Sequence, residues 1–218
     1  MSIFKSIKFE LLILVLITLS IFASFNLDLF FYSYFINLSE WVNGVFLKEF
    51  FSEITKLGSS SWYFSISIIG FIVFYINKRL QIIKTKSAKN LSYFFISSFV
   101  YILTVGIITQ IIKHVVGRPR PNHTDFEDVF SFQYFTMESN FHSFPSGHSS
   151  TIFMVCFILV SVLPKLKYFF YFLASIVAFS RVIVSAHFFT DIVAGGILAL
   201  ILFKISVSYT HLTLPTTR

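Results

Sequence analysis

The stretch FHSFPSGHSSTIFMVCFILVSVL, residues 141–163, changes from polar to apolar near its middle. The polar half ends in the tetrapeptide PSGH, residues 145–148, and a long apolar run follows. A serine at a helix start can cap unpaired backbone N–H groups, and those groups carry a partial positive charge that favours an anion. The pattern therefore predicts an apolar helix over residues 147–164, with either an ordinary cap or a phosphate-binding loop at its start.

The whole chain has the composition of a membrane protein. Of its 218 residues, 56% are hydrophobic and only 12% are charged, which is too apolar for a soluble domain of this length. A helix that crosses the hydrocarbon core of a bilayer needs about 20 apolar residues. Six runs approach that length: 9–27, 62–77, 92–112, 147–164, 168–186 and 189–206. We therefore expect an all-α fold, a bundle of six transmembrane helices that forms a single domain over residues 1–206.

The basic residues indicate how the bundle is oriented. They gather in two short loops, 78–89 and 165–167, and near the N-terminus. Because positively charged loops are retained on the cytoplasmic side, these parts are expected to face the cytoplasm. The net charge of +7 is explained in this way, so no nucleic-acid partner is expected. The outer side then carries segment 28–61, segment 113–146 and the turn near residue 187.

Two segments and the single cysteine differ from the predicted spans. Segment 28–61 mixes aromatic and charged residues at helical spacing, which predicts a short helical segment at the membrane interface between the first two helices. The tail, residues 207–218, breaks the apolar pattern and resembles a translated sequencing adapter, so we expect it to be non-native. Cys156 lies within an apolar run and is expected to serve packing alone.

A cluster of cations follows the third predicted helix, in KHVVGRPRP, residues 113–121. The glycine and the two prolines must end the helix, which leaves Lys113 in its last turn and places Arg118 and Arg120 on the emerging loop. Such cations can gather around a phosphate. They can also be interfacial anchors whose side chains reach the lipid headgroups.

Another polar cluster, SRVIVSAHFFTD, residues 180–191, lies between the last two predicted helices. His187 and Asp191 are four residues apart, so they share a face if helical geometry holds across the turn. The carboxylate can then accept the proton of one ring nitrogen and leave the other nitrogen nucleophilic. Arg181 can hold phosphoryl oxygens nearby, although the three side chains could instead form a structural ion pair.

Taken in order, these clusters resemble the three-part signature of the type 2 phosphatidic acid phosphatase superfamily. The matching elements are Lys113-x6-Arg120-Pro121, Pro145-Ser146-Gly147-His148 and Ser180-Arg181-x5-His187-x3-Asp191. The resemblance covers residues 113–191, and every signature position matches. It implies phosphoryl transfer through a phosphohistidine, without a metal or another cofactor.

The resemblance also implies a role for each matching residue. His187 would attack phosphorus, Asp191 would orient its ring, and His148 would protonate the leaving oxygen and then activate water. The phosphate oxygens would be held by Lys113, Arg120, Ser146, Gly147 and Arg181.

Polar residues outside the signature suggest no further chemistry. The other histidines near the clusters are expected to be interfacial or loop residues: His114, His123 and His142. The acidic residues of the outer loop match no cation-binding loop, and no cluster predicts a metal site: Asp125, Glu127, Asp128 and Glu138.

The implied activity is that of a membrane lipid phosphatase in a bacterial inner membrane, with its site on the periplasmic or extracellular face. A phosphate at headgroup depth implies a lipid substrate: phosphatidate, phosphatidylglycerophosphate, undecaprenyl diphosphate or a lipid A phosphate. Specificity is expected to depend on segment 28–61 and on loop 122–144. Three alternatives stay open. They are a lipid phosphotransferase with the same site, a vanadium-dependent haloperoxidase, although those proteins are soluble, and a non-catalytic membrane protein that binds anions.

Overall fold

The computed structural model describes residues 26–40, 43–80, 86–125 and 128–213, and these residues form helices, turns and loops but no strands. Residues 26–35 are helical and are called α1. The longer helices are α2 Gly44–Thr55, α3 Ser60–Leu80, α4 Lys86–Val116, α5 Gly147–Val162, α6 Lys167–Ile183 and α7 Phe189–Thr213. Short 3₁₀ turns include Leu38–Glu40, Lys56–Gly58, Pro121–His123, Ser139–Phe141 and Pro164–Leu166. The predicted all-α fold is confirmed for this part of the chain.

Four segments of the described chain are long and apolar enough to cross a membrane. They are Gly44–Asn77, Asn90–His123, Pro164–Ile183 and Phe189–Ser206. Another apolar helix, α5, has 16 residues, just below the usual length of a transmembrane helix. The first predicted span, 9–27, lies almost entirely outside the described residues, so the count of six transmembrane helices stays a prediction. Helix α7 continues to Thr213, beyond residue 206, the predicted end of the domain.

Helix α5 packs against α4, α6 and α7 and so lies at the centre of the described bundle. One apolar cluster joins Val105 of α4 and Met154 of α5 to Ala199 of α7. A second cluster joins Cys156 of α5 to Ala174 of α6. Small side chains at such crossings let helices approach closely, which favours helix association where lipid replaces water. The buried position of Cys156 agrees with the predicted packing role.

Segment 28–61 is largely helical, as predicted, but part of it lies in the core. Phe35 of α1 is buried in a cluster with residues of α6 and α7. The ring of Phe31 contacts the rings of Phe179 and Phe189, with centroids 5.3 Å apart in both pairs. One face of α1 therefore packs inward, which the mixed composition of the segment does not reveal. The location of α2 at the membrane interface stays a prediction.

The polar clusters meet at one end of the bundle, where α4 and α6 end and α5 and α7 begin. The backbone N–H of Ser143 donates to the carbonyl of Arg118 at 3.0 Å, which ties the approach to α5 to the end of α4. The N–H of Ser146 donates to the carbonyl of Asp191 at 2.9 Å, which ties the start of α5 to the first turn of α7. Helices α4 and α5 are continuous, so the start of α4 and the end of α5, next to the lysine-bearing loops, lie away from the polar clusters.

Candidate active site

His187 and Asp191 form a buried pair at the start of α7. Nδ1 of His187 lies 3.6 Å from Oδ2 of Asp191, slightly longer than a hydrogen bond. Helical geometry does not extend across the turn, because α6 ends at Ile183 and α7 begins only at Phe189, so the pair meets without the helical spacing on which the sequence argument is conditional. Instead, the backbone N–H of Phe188 donates to Oδ2 of Asp191 at 2.8 Å. The carboxylate therefore caps the start of α7, and the same oxygen faces the ring of His187.

The surroundings of His187 keep its ring neutral. The residue is only 3% exposed and lies between two of the apolar spans. Burial lowers the pKa of His187 to about 3; the charge of Lys113 adds to this effect, and the nearby carboxylate of Asp191 opposes it. The imidazole is therefore uncharged near pH 7. Nδ1 is turned toward Asp191, and a proton on that nitrogen would leave Nε2 with its lone pair, which is the form in which a histidine acts as a nucleophile.

The PSGH tetrapeptide, residues 145–148, starts α5 as predicted. Ser146 is the N-cap, and its Oγ accepts the backbone N–H of Ser149 at 3.4 Å. Oγ of Ser149 donates to the carbonyl of Ile192 at 2.6 Å, so the start of α5 is fixed to α7. The space beside Gly147 is open, since a Cβ atom there would lie no closer than 3.9 Å to atoms of α4. An anion can therefore approach the first backbone N–H groups of α5.

Two of the three predicted phosphate-binding cations are held by backbone carbonyls of loop 122–144. Lys113, in the last turn of α4, donates from Nζ to the carbonyl of His142 at 2.5 Å. Arg120 donates from Nε to the carbonyl of Ser139 at 3.0 Å. A neutral carbonyl fixes the position of a cation without cancelling its charge. Both side chains therefore remain available to a bound anion.

The third predicted cation, Arg181, lies near the end of α6. Its Nη1 donates to Oγ1 of Thr55 at 3.2 Å, and its Nε is buried without a hydrogen-bond partner. Burial, and then the charges of Arg181, Lys113 and Arg120, lower the pKa of His148 to about 4. Within residues 26–40, 43–80, 86–125 and 128–213, none of these three cations forms an ion pair with a carboxylate. Three such cations around one imidazole make a site suited to an anion with more than one negative charge.

A cavity of about 780 Å³ connects this polar site with an apolar groove between α3, α4 and α5. Lys113, Gly147 and His148 line its polar end, whereas the other predicted site residues do not line it. The apolar wall includes Phe64 and Leu103, and further lining residues come from loop 122–144 and segment 28–61. A volume of this size can hold a phosphate together with a hydrocarbon chain.

Sequence reasoning misses a buried network behind Asp191. Arg118, expected to bind phosphate or lipid headgroups, is 2% exposed and forms ion pairs with Asp191 at 2.7 Å and Asp28 at 2.8 Å. This corrects the expectation, because a buried guanidinium needs counter-charges and here faces two carboxylates. Oγ of Ser143 also donates to Oδ2 of Asp191, at 2.5 Å. The signal in the sequence is Asp28 itself, a carboxylate beside an apolar run, where an unpaired charge is costly.

The remaining histidines of this region lie apart from the His187 pair. Ring nitrogens of His114 and His142 each bond to a backbone carbonyl, at 2.7 and 3.0 Å. His123 is exposed. The contribution of His142 to the site is its backbone carbonyl, which holds Lys113. Among the described residues, no group of three or more His, Cys, Asp or Glu side chains could hold a metal ion.

Comparison with known proteins agrees with the signature. The family model described as PAP2 superfamily matches residues 94–213. The lipid A 1-phosphatase of Rhizobium etli is 32% identical over 153 residues, which are 68% of this chain and 65% of that protein. Phosphatidylglycerophosphatase B of Bacillus subtilis is 30% identical over 172 residues, which are 72% of each chain.

A solved structure has a similar fold. The crystal structure of the first transmembrane PAP2 type phosphatidylglycerolphosphate phosphatase from Bacillus subtilis superposes with a TM-score of 0.63 at 22% sequence identity. The superposition covers 96% of this chain and 98% of that chain. In sequence, the match to the lipid A 1-phosphatases of Rhizobium etli and Rhizobium johnstonii spans less than two thirds of their length, 65% and 62%.

Proposed function

The chain belongs to the PAP2 superfamily, and we propose that it is a membrane lipid phosphatase that works through a phosphohistidine. The observation that carries this proposal is the cavity in which Lys113 and His148 lie at the polar end of an apolar groove. A lipid phosphate likewise has a polar end and an apolar part, because its anionic head is joined to a hydrocarbon chain. The cations bound to neutral oxygens, Lys113, Arg120 and Arg181, match the charge of that head.

In the proposed first step, Nε2 of His187 attacks phosphorus, and a P–N bond forms as the P–O bond to the lipid breaks. The negative charge of the bound phosphate offsets the neighbouring cations and raises the pKa of His148, which then holds a proton. His148 gives this proton to the leaving oxygen, so the dephosphorylated lipid departs with a neutral hydroxyl, or as a monophosphate when the substrate is a diphosphate. The charge on the equatorial oxygens is stabilised by Lys113, Arg120 and Arg181.

In the proposed second step, His148 takes a proton from water as the water oxygen attacks phosphorus. The P–N bond breaks, inorganic phosphate leaves and the ring of His187 is restored. In both steps Asp191 faces Nδ1 and stabilises the positive charge that the ring gains when the P–N bond forms. The backbone N–H of Gly147 and the hydroxyl of Ser146 bind phosphoryl oxygens at the start of α5.

The substrate class follows from the cavity and from the names of the relatives. A lipid A phosphate and phosphatidylglycerophosphate are the substrates that those names suggest. Phosphatidate and undecaprenyl diphosphate present the same phosphate on a hydrocarbon chain, so they belong to the same proposal. We place the site on the outer face of a bacterial inner membrane because the lysine-bearing loops lie at the opposite end of α4 and α5.

The direct experiment is a phosphate-release panel with the purified full chain in detergent and each of these four lipids. Hydrolysis of at least one lipid is expected, with the same rate in the presence of EDTA. Activity that is lost in EDTA and restored only by added metal would overturn the phosphohistidine mechanism. Product analysis with an added acceptor lipid tests the phosphotransferase alternative, because a transferase places the phosphate on that lipid instead of releasing it.

Gly106→Phe is expected to select against long lipid chains. Gly106 lies on the wall of the cavity, and a Cβ atom there would meet no other atom within 4 Å. It is seven residues before Lys113, which places it about 10 Å along α4 from the phosphate site. A phenyl ring at this depth blocks a long chain but not a short one. We expect hydrolysis of dipalmitoyl phosphatidate to fall about 10-fold, with dihexanoyl phosphatidate unaffected.

The matched control is Gly106→Ala, whose methyl group fits the open space and leaves both rates unchanged. Measured kcat/KM for the two phosphatidates gives the selectivity directly. Equal losses with both chain lengths in Gly106→Phe would show that the lipid chain does not occupy this groove.

Gly58→Ala is expected to displace His148. A Cβ atom at Gly58 would lie 2.9 Å from Cβ of His148 and 3.2 Å from its carbonyl oxygen. Either the Lys56–Gly58 turn or His148 must move, and a displacement of about 1 Å at a catalytic group lowers kcat about 100-fold. Steady-state kinetics on the best lipid of the panel measure this loss. Ser61→Ala is the control, since the exposed Ser61 hydroxyl bonds to that of Ser59 and not to His148. Wild-type rates in this control are required for the interpretation.

A further inference from the structure

A buried cluster of charges joins α1 to the candidate active site. Arg118 donates from Nη1 to Oδ1 of Asp191 at 2.7 Å and to Oγ1 of Thr190 at 2.6 Å. From Nη2 it donates to Oδ2 of Asp28 at 2.8 Å. The side chains of Arg118, Asp28 and Asp191 are 2%, 0% and 0% exposed, so neither water nor lipid reaches the cluster. Charges buried in this way are retained only with well-placed partners.

Asp28 holds the guanidinium and the start of α7 together. Its Oδ1 accepts the backbone N–H of Thr190 at 2.8 Å, and its Oδ2 accepts the hydroxyl of Thr190 at 2.5 Å. The ring of Phe188 covers the guanidinium, with its centroid 4.2 Å from Cζ of Arg118. Two carboxylates, a hydroxyl and an aromatic face therefore fix Arg118 in one orientation.

Arg118 binds the oxygen of Asp191 that is turned away from His187. Because Oδ1 is bound to the guanidinium, Oδ2 is the oxygen of Asp191 that faces Nδ1 of His187, and it also accepts the hydroxyl of Ser143 and a backbone N–H. Oγ of Ser143 itself lies 3.5 Å from Nδ1. If Asp28 lost its charge, the guanidinium could take both oxygens of Asp191 in a bidentate pair and turn Oδ2 away from the ring. Arg118 is 2% exposed and both of its terminal nitrogens are bound within the cluster, so it acts on the reaction through Asp191.

We infer that Asp28 and Arg118 are positioning residues: Asp28 aims Arg118 at Oδ1 of Asp191, and Asp191 thereby presents Oδ2 to Nδ1 of His187. The catalytic consequence rests on the proposed phosphatase function. The tautomer of His187 can be measured without turnover. A failure of the positioning inference is therefore distinguishable from a failure of the proposed phosphatase function.

The test is the tautomer of His187 in the full chain labelled with ¹⁵N-histidine in detergent. Proton–nitrogen correlation spectra report both ring nitrogens, and the signals of His187 are assigned by their loss in His187→Gln. In the wild type, Nδ1 carries the proton and Nε2 does not. In Asp28→Asn we expect a mixture of the two tautomers and a fall in kcat of about 10- to 100-fold, with little change in KM.

The control is Glu53→Gln, which removes one partner of the exposed Lys56–Glu53 pair and should leave both tautomer and kcat unchanged. If Asp28→Asn does not fold, Thr190→Val removes only the bridging hydroxyl and is measured in its place. A folded variant in which His187 keeps the wild-type tautomer overturns the inference, whether or not kcat falls. A changed tautomer in Asp28→Asn, together with a wild type that hydrolyses no lipid phosphate, supports the inference and refutes the proposed function.

Discussion

His187→Ala is expected to abolish lipid phosphate hydrolysis, with a loss in kcat of at least about 10⁴-fold. The proposed reaction needs a neutral ring nitrogen that can bond to phosphorus, and burial keeps the ring of His187 in that state. His114 and His142 differ from His187 in this respect, because each has a ring nitrogen bonded to a backbone carbonyl and not facing a carboxylate. Phosphate release from the best lipid of the panel measures the loss.

Trapping the intermediate makes the same prediction more specific. Wild-type protein quenched during turnover of a substrate with a radiolabelled phosphate should carry a label that is stable in base and lost in acid, as expected of a P–N bond. His187→Ala should carry none. His123→Ala is the control, because that exposed histidine lies outside the site, and it should retain full activity and labelling. Undiminished hydrolysis by purified His187→Ala would refute the assignment of the nucleophile.

The local parts of the site are predictable because each depends on residues a few positions apart. Ser146 caps α5 through the backbone N–H of Ser149, three residues later. Gly117 and the two prolines after it end α4 at Val116, which leaves Lys113 in the last turn. Turn and cap chemistry of this kind can be read from a short window of sequence.

Pairing across the chain is not predictable in the same way. Arg118 and Asp28 are 90 residues apart, and Arg181 and Thr55 are 126 apart. Local periodicity shows that a charge exists but not which partner compensates it. Arg118 and Arg120 look equivalent in sequence, yet Arg118 is enclosed between the carboxylates of Asp28 and Asp191, whereas Arg120 binds the backbone carbonyl of Ser139 in loop 122–144. One arginine is therefore buried behind Asp191, and the other remains near the phosphate site.

The end of α6 has a similar explanation. The apolar pattern predicts a helix to residue 186, but α6 ends at Ile183. Ser185 adopts a left-handed conformation with φ of 55°, and its hydroxyl donates to the carbonyl of Phe35 in α1 at 3.1 Å. A contact with a segment 150 residues away thus accompanies the turn that brings His187 to Asp191. Hydrophobic periodicity carries no information about such a contact.

His148→Ala is expected to slow hydrolysis of a lipid phosphate by about 10²- to 10⁴-fold while slowing release of p-nitrophenol from p-nitrophenyl phosphate much less. The lipid leaving group is an alkoxide, which needs a proton as the P–O bond breaks. Nitrophenolate is a weak base and leaves without one. Comparison of kcat/KM for the two substrates in wild type and variant separates loss of the general acid from general damage to the site.

The second half-reaction provides an independent measurement on the same variant. Without His148 the attacking water loses its proposed proton acceptor, so the phosphorylated His187 should accumulate when p-nitrophenyl phosphate is the substrate. Rapid mixing should then show a burst of about one nitrophenol per protein, followed by slow release of phosphate. Equal losses on both substrates without a burst would contradict a role in proton transfer. They would mean that His148 acts by contact alone, for instance with the Lys56–Gly58 turn that packs against it.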